Sequence, residues 1–267
     1  MIFINADRTK YIRLNMCMIT DLTFNQKALM FAVIAKGAYL DDSSAIFAAY
    51  NLFNYQFMSN NNAYGHIAFN DTDLVISFRG SSPENISNWL TDINILPETY
   101  SSGKVHMGFK QENDKLMPQV LNAINIAPKR NVWICGHSLG GAMTTIAIAE
   151  LLKAKLCTPI AFTYGEPRSG DSDFVTELVF EHHRFVNCND IVPTVPPLAF
   201  GYIHHGLLHY LTYTGNIVTS PSMLLRIRDQ FLGRINAWKN GEIFDVIYDH
   251  NTSLYVQKIQ QFGLTNA

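Results

Sequence analysis

The sequence predicts an α/β protein, a mainly parallel central sheet flanked by helices, in a single domain over residues 1–267. Three observations carry this reading. From residue 132 onward, short apolar segments of strand length alternate with helical stretches, the pattern of a parallel sheet covered on both faces. Hydrophobic residues make up 48% of the chain and charged residues 16%, enough apolar side chain for a sizeable core. At the first strand-to-helix corner of the alternation stands Gly136-His137-Ser138-Leu139-Gly140, which places a serine on a tight turn between two glycines.

In chain order, residues 26–40 carry a helical pattern and SNNNA at 59–63 reads as a polar loop. Residues 64–69 and 74–78 flank Asn70-Asp71-Thr72-Asp73, a hairpin signature. Residues 109–126 read as a helix, with Pro118 as a candidate kink. Residues 132–135 form a buried strand, followed at once by a helix over 139–155. The pattern repeats as strand 160–164, helix 171–180 and strand 184–188. Residues 209–213 and 216–219, around Thr214-Gly215, read as a closing hairpin, with helical stretches after it.

Charge and hydropathy exclude several function classes. Acidic and basic residues number 22 and 20, and no Lys/Arg block appears, which argues against nucleic acid or a polybasic membrane anchor. No apolar run approaches the roughly 18–20 residues needed to span a bilayer. Asp7, Arg8, Lys10 and Arg13 interrupt the N-terminus, leaving no signal-peptide core. Cys135, Cys157 and Cys188 lie in or beside apolar segments and read as reduced thiols. The expected placement is therefore cytoplasmic, although a chain trimmed of a leader would read the same way.

The physics of the Gly136–Gly140 turn is specific. A serine at so sharp a corner takes strained backbone angles, and its neighbours two positions away must lack side chains. The turn lifts the hydroxyl clear of the sheet, at the positive end of the next helix. An activated serine needs a base, an acid to orient it and donors for the oxyanion, in chain order Ser, acid, His. Asp190 is the best acid, placed after strand 184–188 in a loop stiffened by Pro193, Pro196 and Pro197. Asp171 and Asp173 read instead as the first residues of the next helix. His137 points away from the serine across the turn and reads as structural support.

Several segments together resemble the class 3 lipases, the fungal-lipase-like members of the α/β-hydrolase fold. They are Phe78-Arg79-Gly80-Ser81 with Asn88-Trp89, Val105-His106-Met107-Gly108-Phe109, the Gly136–Gly140 elbow, Tyr164 through Gly170, and Asn189 through Pro197. The resemblance runs from about residue 64 to 250. It implies Ser138 as nucleophile, Asp190 as triad acid, and the backbone N–H groups of Ser81 and Leu139 as the oxyanion hole. It also implies Tyr39 near the substrate pocket, and His106 and Arg79 in structural roles. Two features depart from the family's secreted fungal members. Signal peptide and disulfides are not visible, and the gap between Gly80 and Asn88 is longer.

Residues 82–96 read as a lid. Ser82 can cap a helix and Pro83 suits its first position. Ile86, Trp89, Leu90 and Ile93 fall on one apolar stripe. Placed directly after the oxyanion strand, that stripe implies a cover that a lipid–water interface would open.

For the base, His204, His205 and His209 follow Asp190 by only 14 to 19 residues, with no completed element to carry the chain back. His182 and His183 precede the acid. His250 comes 60 residues after Asp190, before a terminal helical stretch, and matches the family's Asp-His at that place. No metal-binding spacing appears among the histidines, and no cofactor is expected. The expected function is a serine carboxylester hydrolase acting on acylglycerol-type lipid esters. Phospholipase A1 or aryl/feruloyl esterase activity on the same machinery is the alternative, and a catalytically silent binding protein is the different class.

Overall fold

The computed structural model describes residues 18–82, 86, 96–239 and 248–265. Twelve strands are present among them: β1 (Asn54–Asn60), β2 (Ala63–Phe69), β3 (Asp73–Phe78), β4 (Pro97–Tyr100), β5 (Gly103–His106), β6 (Asn131–His137), β7 (Ile160–Tyr164), β8 (Gly170–Asp171), β9 (His182–Asn187), β10 (Tyr202–Ile203), β11 (Leu207–Leu211) and β12 (Ile217–Thr219). The helices are α1 (Phe24–Gly37), α2 (Ser44–Ala48), α3 (Met107–Ile126), α4 (Leu139–Lys153), α5 (Ser172–Glu177), α6 (Met223–Lys239) and α7 (Thr252–Thr265).

The main sheet has eight strands in the order β1-β2-β3-β6-β7-β9-β11-β12. Its five central strands run parallel, while β1 and β2 on one side and β12 on the other are antiparallel. This is the mainly parallel, helix-flanked architecture of the α/β-hydrolase fold.

The two-residue side-chain period divides the core. Val75, Trp133, Cys135, Phe162, Tyr164 and Phe185 pack on one face against Phe31 and Ile34 of α1 and Tyr255 and Ile259 of α7. Leu74, Ile76, Ile134 and Ala161 pack on the other against Leu116 and Val120 of α3 and Met143, Ile148 and Leu151 of α4. Each fully buried Val, Leu, Ile, Phe or Met among them contributes roughly 1.5–3 kcal/mol relative to exposure. Asp73, buried at the start of β3, accepts hydrogen bonds from Trp133 Nε1 (2.8 Å) and Thr72 Oγ1 (2.7 Å), which tie the hairpin to β6.

Some boundaries differ from the sequence expectations. The stretch read as a polar loop at 59–63 is instead the end of β1, a turn with Asn61 and Asn62 at positive φ, and the start of β2. The helix expected over 171–180 is only Ser172–Glu177, with Asp171 as its N-cap accepting from Phe174 N. Helix α3 runs through Pro118 without ending there. A second sheet, β10-β8-β5-β4, is absent from the sequence reading, because strands of two to four residues are too short to show a period. No disulfide joins Cys135, Cys157 and Cys188.

Strand β9 passes to β11 without an intervening helix. The 188–206 connection holds two short helical turns and the two-residue β10, and it carries Asp190 at the carboxyl edge of the parallel strands.

Candidate active site

Strand β6 ends at His137, α4 begins at Leu139, and Ser138 alone makes the corner with φ 60° and ψ −132°. Such a backbone costs about 1–3 kcal/mol and persists only when its surroundings fix it. Here they do. Ser138 N donates to the Tyr164 carbonyl (3.0 Å), at the end of the neighbouring strand. A Cβ on Gly136 would lie 2.2 Å from the Gly140 carbonyl oxygen, and one on Gly140 would lie 2.3 Å from that of Phe78. The elbow is so tight that both flanking positions exclude any side chain. Ser138 is fully buried, and its Oγ has no hydrogen-bond partner among the described residues.

Asp190 is buried and saturated with donors. Oδ1 accepts from Val192 N (2.9 Å), and Oδ2 accepts from the Tyr255 hydroxyl (2.6 Å) and His250 Nδ1 (2.7 Å). The loop after it is held from two sides. Arg168 donates to the Thr194 and Pro196 carbonyls, and His204 Nε2 donates to the Pro193 carbonyl (2.8 Å). Burial, with Arg184 nearby, pushes the His204 imidazole well below its ordinary pKa and keeps it neutral for that bond.

His250 closes the set across 60 residues of sequence. With Nδ1–H directed at the Asp190 carboxyl oxygen, its Nε2 is the ring's acceptor. That atom is buried and has no partner among the described residues. Ser138 Oγ and His250 Nε2 are thus the two open ends of the site and do not bond each other, as is common before substrate tightens such contacts. The backbone around His250 is fixed by Asn187, whose Nδ2 donates to the Asp249 carbonyl (2.8 Å). Lys258 Nζ anchors the Asn187 Oδ1 at 2.6 Å.

His137 supports rather than reacts. Its Nε2 donates to the His250 carbonyl (2.7 Å), leaving Nδ1 to accept from the Tyr39 hydroxyl (2.8 Å). Burial and the neighbouring His250 ring, 4.3 Å away centroid to centroid, hold His137 far below its ordinary pKa and therefore neutral. The Tyr39 hydroxyl lies beside Gly80, where a Cβ would meet it at 2.5 Å and Ser138 Cβ at 3.0 Å. The segment bearing Ser81 therefore passes directly over the serine, and Leu139 opens the helix beneath it. Arg79 lies over the rings of Tyr39 and Tyr64, and His106 caps α3 by accepting from Phe109 N, so neither is part of the reacting set.

Of the lid residues, Trp89, Leu90 and Ile93 lie outside the described residues. Ile86 is helical and buried. The histidines of 204–209 are engaged elsewhere, with His205 Nδ1 at 3.1 Å from His182 and His209 Nε2 at 3.0 Å from His183. Tyr255 and Asn187 are the functional neighbours that sequence reasoning missed. Tyr255 lies in a helix pattern that shows only its buried side, and nothing local in the sequence marks its hydroxyl.

Comparison with known proteins gives a consistent picture. Residues 75–200 match the class 3 lipases. The chain is 37% identical over 153 residues to a lipase of Rhizomucor miehei, covering 52% of this chain and 42% of that protein. It is 34% identical over 142 residues to secreted mono- and diacylglycerol lipase 1 of Fusarium solani, covering 49% and 42%. The chain thus matches less than half the length of these two relatives. Among solved structures, a triacylglycerol lipase described as having a serine protease triad at its catalytic centre superposes with a TM-score of 0.63. That match has 27% identity and covers 72% of this chain and 82% of that one.

Proposed function

Since the chain belongs to the class 3 lipase family through residues 75–200, we propose that it is a serine carboxylester hydrolase acting on acylglycerol-type lipid esters. The single observation that carries the reading is the buried His250 Nδ1–Asp190 Oδ2 bond of 2.7 Å beside an unpartnered serine on a strained elbow. Buried polar side-chain atoms ordinarily find a partner, and here two that do not, Ser138 Oγ and His250 Nε2, belong to the same candidate site.

In this reading Ser138 Oγ attacks the ester carbonyl carbon while its proton passes to His250 Nε2. Asp190 holds the imidazole in the required tautomer and stabilises the imidazolium. The backbone N–H groups of Ser81 and Leu139 receive the oxyanion. The C–O bond to the alcohol then breaks, and His250 returns the proton to the departing alkoxide. Water, deprotonated by His250, releases the fatty acid and restores Ser138. Tyr39 borders the pocket through its place beside Gly80. Residues 82–96 serve as the lid, with Ile86, Trp89, Leu90 and Ile93 as its apolar stripe, in one hydrolase unit spanning the chain.

Among the described residues no helix is long and apolar enough to cross a membrane. The cytoplasmic placement expected from the N-terminal sequence finds no support in the relatives, of which several are named as secreted, and secretion is the placement we adopt.

The test is labelling with a fluorophosphonate, followed by turnover on p-nitrophenyl esters, tri- and monoacylglycerols and phospholipids. Wild type should label and Ser138→Ala should not. Equal labelling of the two removes the nucleophile assignment. A preference for phospholipid or feruloyl esters would move the substrate class without touching the mechanism. Equal specific activity below and above the substrate's solubility limit would remove the interfacial role of the lid.

A further inference from the structure

Helix α6 is built inside out. A surface helix ordinarily turns its apolar stripe to the core and its polar residues to water. Here the residues facing the protein are polar or small. Asp229 is buried, its Oδ2 accepting from the Tyr210 hydroxyl (3.0 Å) and Tyr213 N (3.1 Å). Gln230 Nε2 donates to the Cys188 carbonyl (2.8 Å), and Gly233 lies against Tyr213 and Asn189. By the 3.6-residue period, positions 227, 231 and 238 face away from 229 and 233, with 223 at the margin of that face. They are Met223, Ile227, Phe231 and Trp238, exposed by 75%, 51%, 62% and 80%, with Leu224 beside them at 80%.

The charges on α6 point the same way. The chain as a whole carries a net charge of −2. Helix α6 nonetheless exposes Arg228, Arg234 and Lys239, while Arg226 lies over the ring of buried Tyr210 and the one acidic residue, Asp229, is turned inward. Among the described residues no ion pair engages Arg228 or Lys239. The outward face is thus apolar with a basic fringe and a tryptophan near its end, the composition of a helix that lies in the plane of a lipid interface.

Its position suits that use. Tyr213 follows β11, Cys188 and Asn189 follow β9 immediately before Asp190, and Ser138 follows β6. The underside of α6 therefore rests on the carboxyl edge of the sheet, where the candidate site lies. The loop after Asp190 adds exposed Leu198 and Phe200 at that edge. A second copy of the chain fits less well, because a two-fold contact would set the same basic fringe against itself.

We propose that the outward face of α6 is a docking surface for an anionic lipid layer. The proposal deepens the hydrolase reading and rests on it for its purpose, while binding itself is measurable without turnover.

The experiment floats the full-length chain, carrying Ser138→Ala so that lipid is not consumed, with vesicles of phosphatidylcholine alone or mixed with phosphatidylglycerol. Expected is binding to the mixed vesicles that weakens as salt is raised. Ile227→Ser/Phe231→Ser/Trp238→Ser should lose it by about tenfold or more, and Arg228→Glu/Lys239→Glu should abolish the preference for the anionic lipid. In the active background, both sets should keep short-chain ester turnover and the thermal midpoint, since these side chains are exposed. Unchanged flotation of the apolar variant, no binding of the parent chain to anionic vesicles, or a dimer that the apolar variant converts to monomer each overturns the proposal. Fluorophosphonate labelling, performed without vesicles, tells its failure apart from failure of the hydrolase reading.

Discussion

The Tyr255 hydroxyl donates to Asp190 Oδ2 at 2.6 Å, the same oxygen that faces His250 Nδ1 at 2.7 Å. It also accepts from Asn187 N at 3.0 Å, so one hydroxyl joins the end of β9, the acid and α7. Burial, with the Asp190 carboxylate next to it, raises the Tyr255 pKa well above the ordinary phenol value and keeps the hydroxyl a donor. Tyr255→Phe leaves a buried N–H without its partner and removes one of the donors that aim the carboxylate. Expected are a stability loss of about 1–3 kcal/mol by urea titration and a fall in kcat of about tenfold on a soluble ester. KM should hold, since substrate does not touch this residue. An unchanged kcat would assign Tyr255 to stability alone.

The choice of base is tested by comparing histidines. His250→Ala and Asp190→Asn should each lower kcat by about 10⁴-fold, the second because an amide admits the wrong imidazole tautomer. His205→Ala and His209→Ala should keep most of the turnover. His204→Ala should keep the chemistry but lose about 1 kcal/mol of stability, with its bond to the Pro193 carbonyl. Turnover by His250→Ala near the wild-type level would send the assignment back to His204, His205 and His209.

Two glycines separate folding from chemistry. Gly136→Ala drives a methyl group into the backbone of Gly140 and should destabilise the chain by about 3 kcal/mol or prevent soluble expression. Gly165 has φ +59°, and a Cβ there would lie 2.7 Å from His250 Cε1 and 2.8 Å from Asp190 Oδ2. Gly165→Ala should therefore lose activity out of proportion to its thermal midpoint, because the added methyl displaces the imidazole. Equal losses for the two variants on both scales would contradict this division.

Acid should weaken the fold through β9 and β11. Thr219 donates to His209 Nδ1, His209 Nε2–H to His183 Nδ1, and His183 Nε2–H to Glu181, a chain of bonds that requires both rings neutral. Burial first, and then His183, pulls His209 down to about 4, and burial lowers His183 as well. Histidines with folded pKa values below the unfolded one take up protons on unfolding. Their stabilising contribution is complete above about 6.5 and is lost as pH falls toward about 4. The urea midpoint should drop between pH 7 and pH 5, with a shallower drop in His209→Gln. A flat midpoint over that range would falsify the neutral pairing.

The central architecture was legible because its signals are local. Segment 132–135, the Gly136–Gly140 turn and the following helix show strand, corner and helix in consecutive residues. Asp190 and His250 could be ordered along the chain by what an activated serine needs. Other features had no local trace. Strands β4, β5, β8 and β10 are too short to carry a period; β4 and β5 form a local hairpin, and β8 and β10 join it only because distant segments pair. The exposed apolar face of α6 reads in sequence like any core-facing stripe, since periodicity gives the face of a helix but not its direction.

By itself, then, the sequence determined the reactive groups and their chain order, because residue type and strained-turn glycines are chemical facts independent of the rest of the fold. The tertiary structure decided which groups meet. It gave Asp190 its three donors, locked His137 between Tyr39 and His250, and placed His204 under the acid loop. It also turned α6 outward, because Asp229 finds its partners at Tyr210 and Tyr213 and so fixes which side of that helix faces the protein.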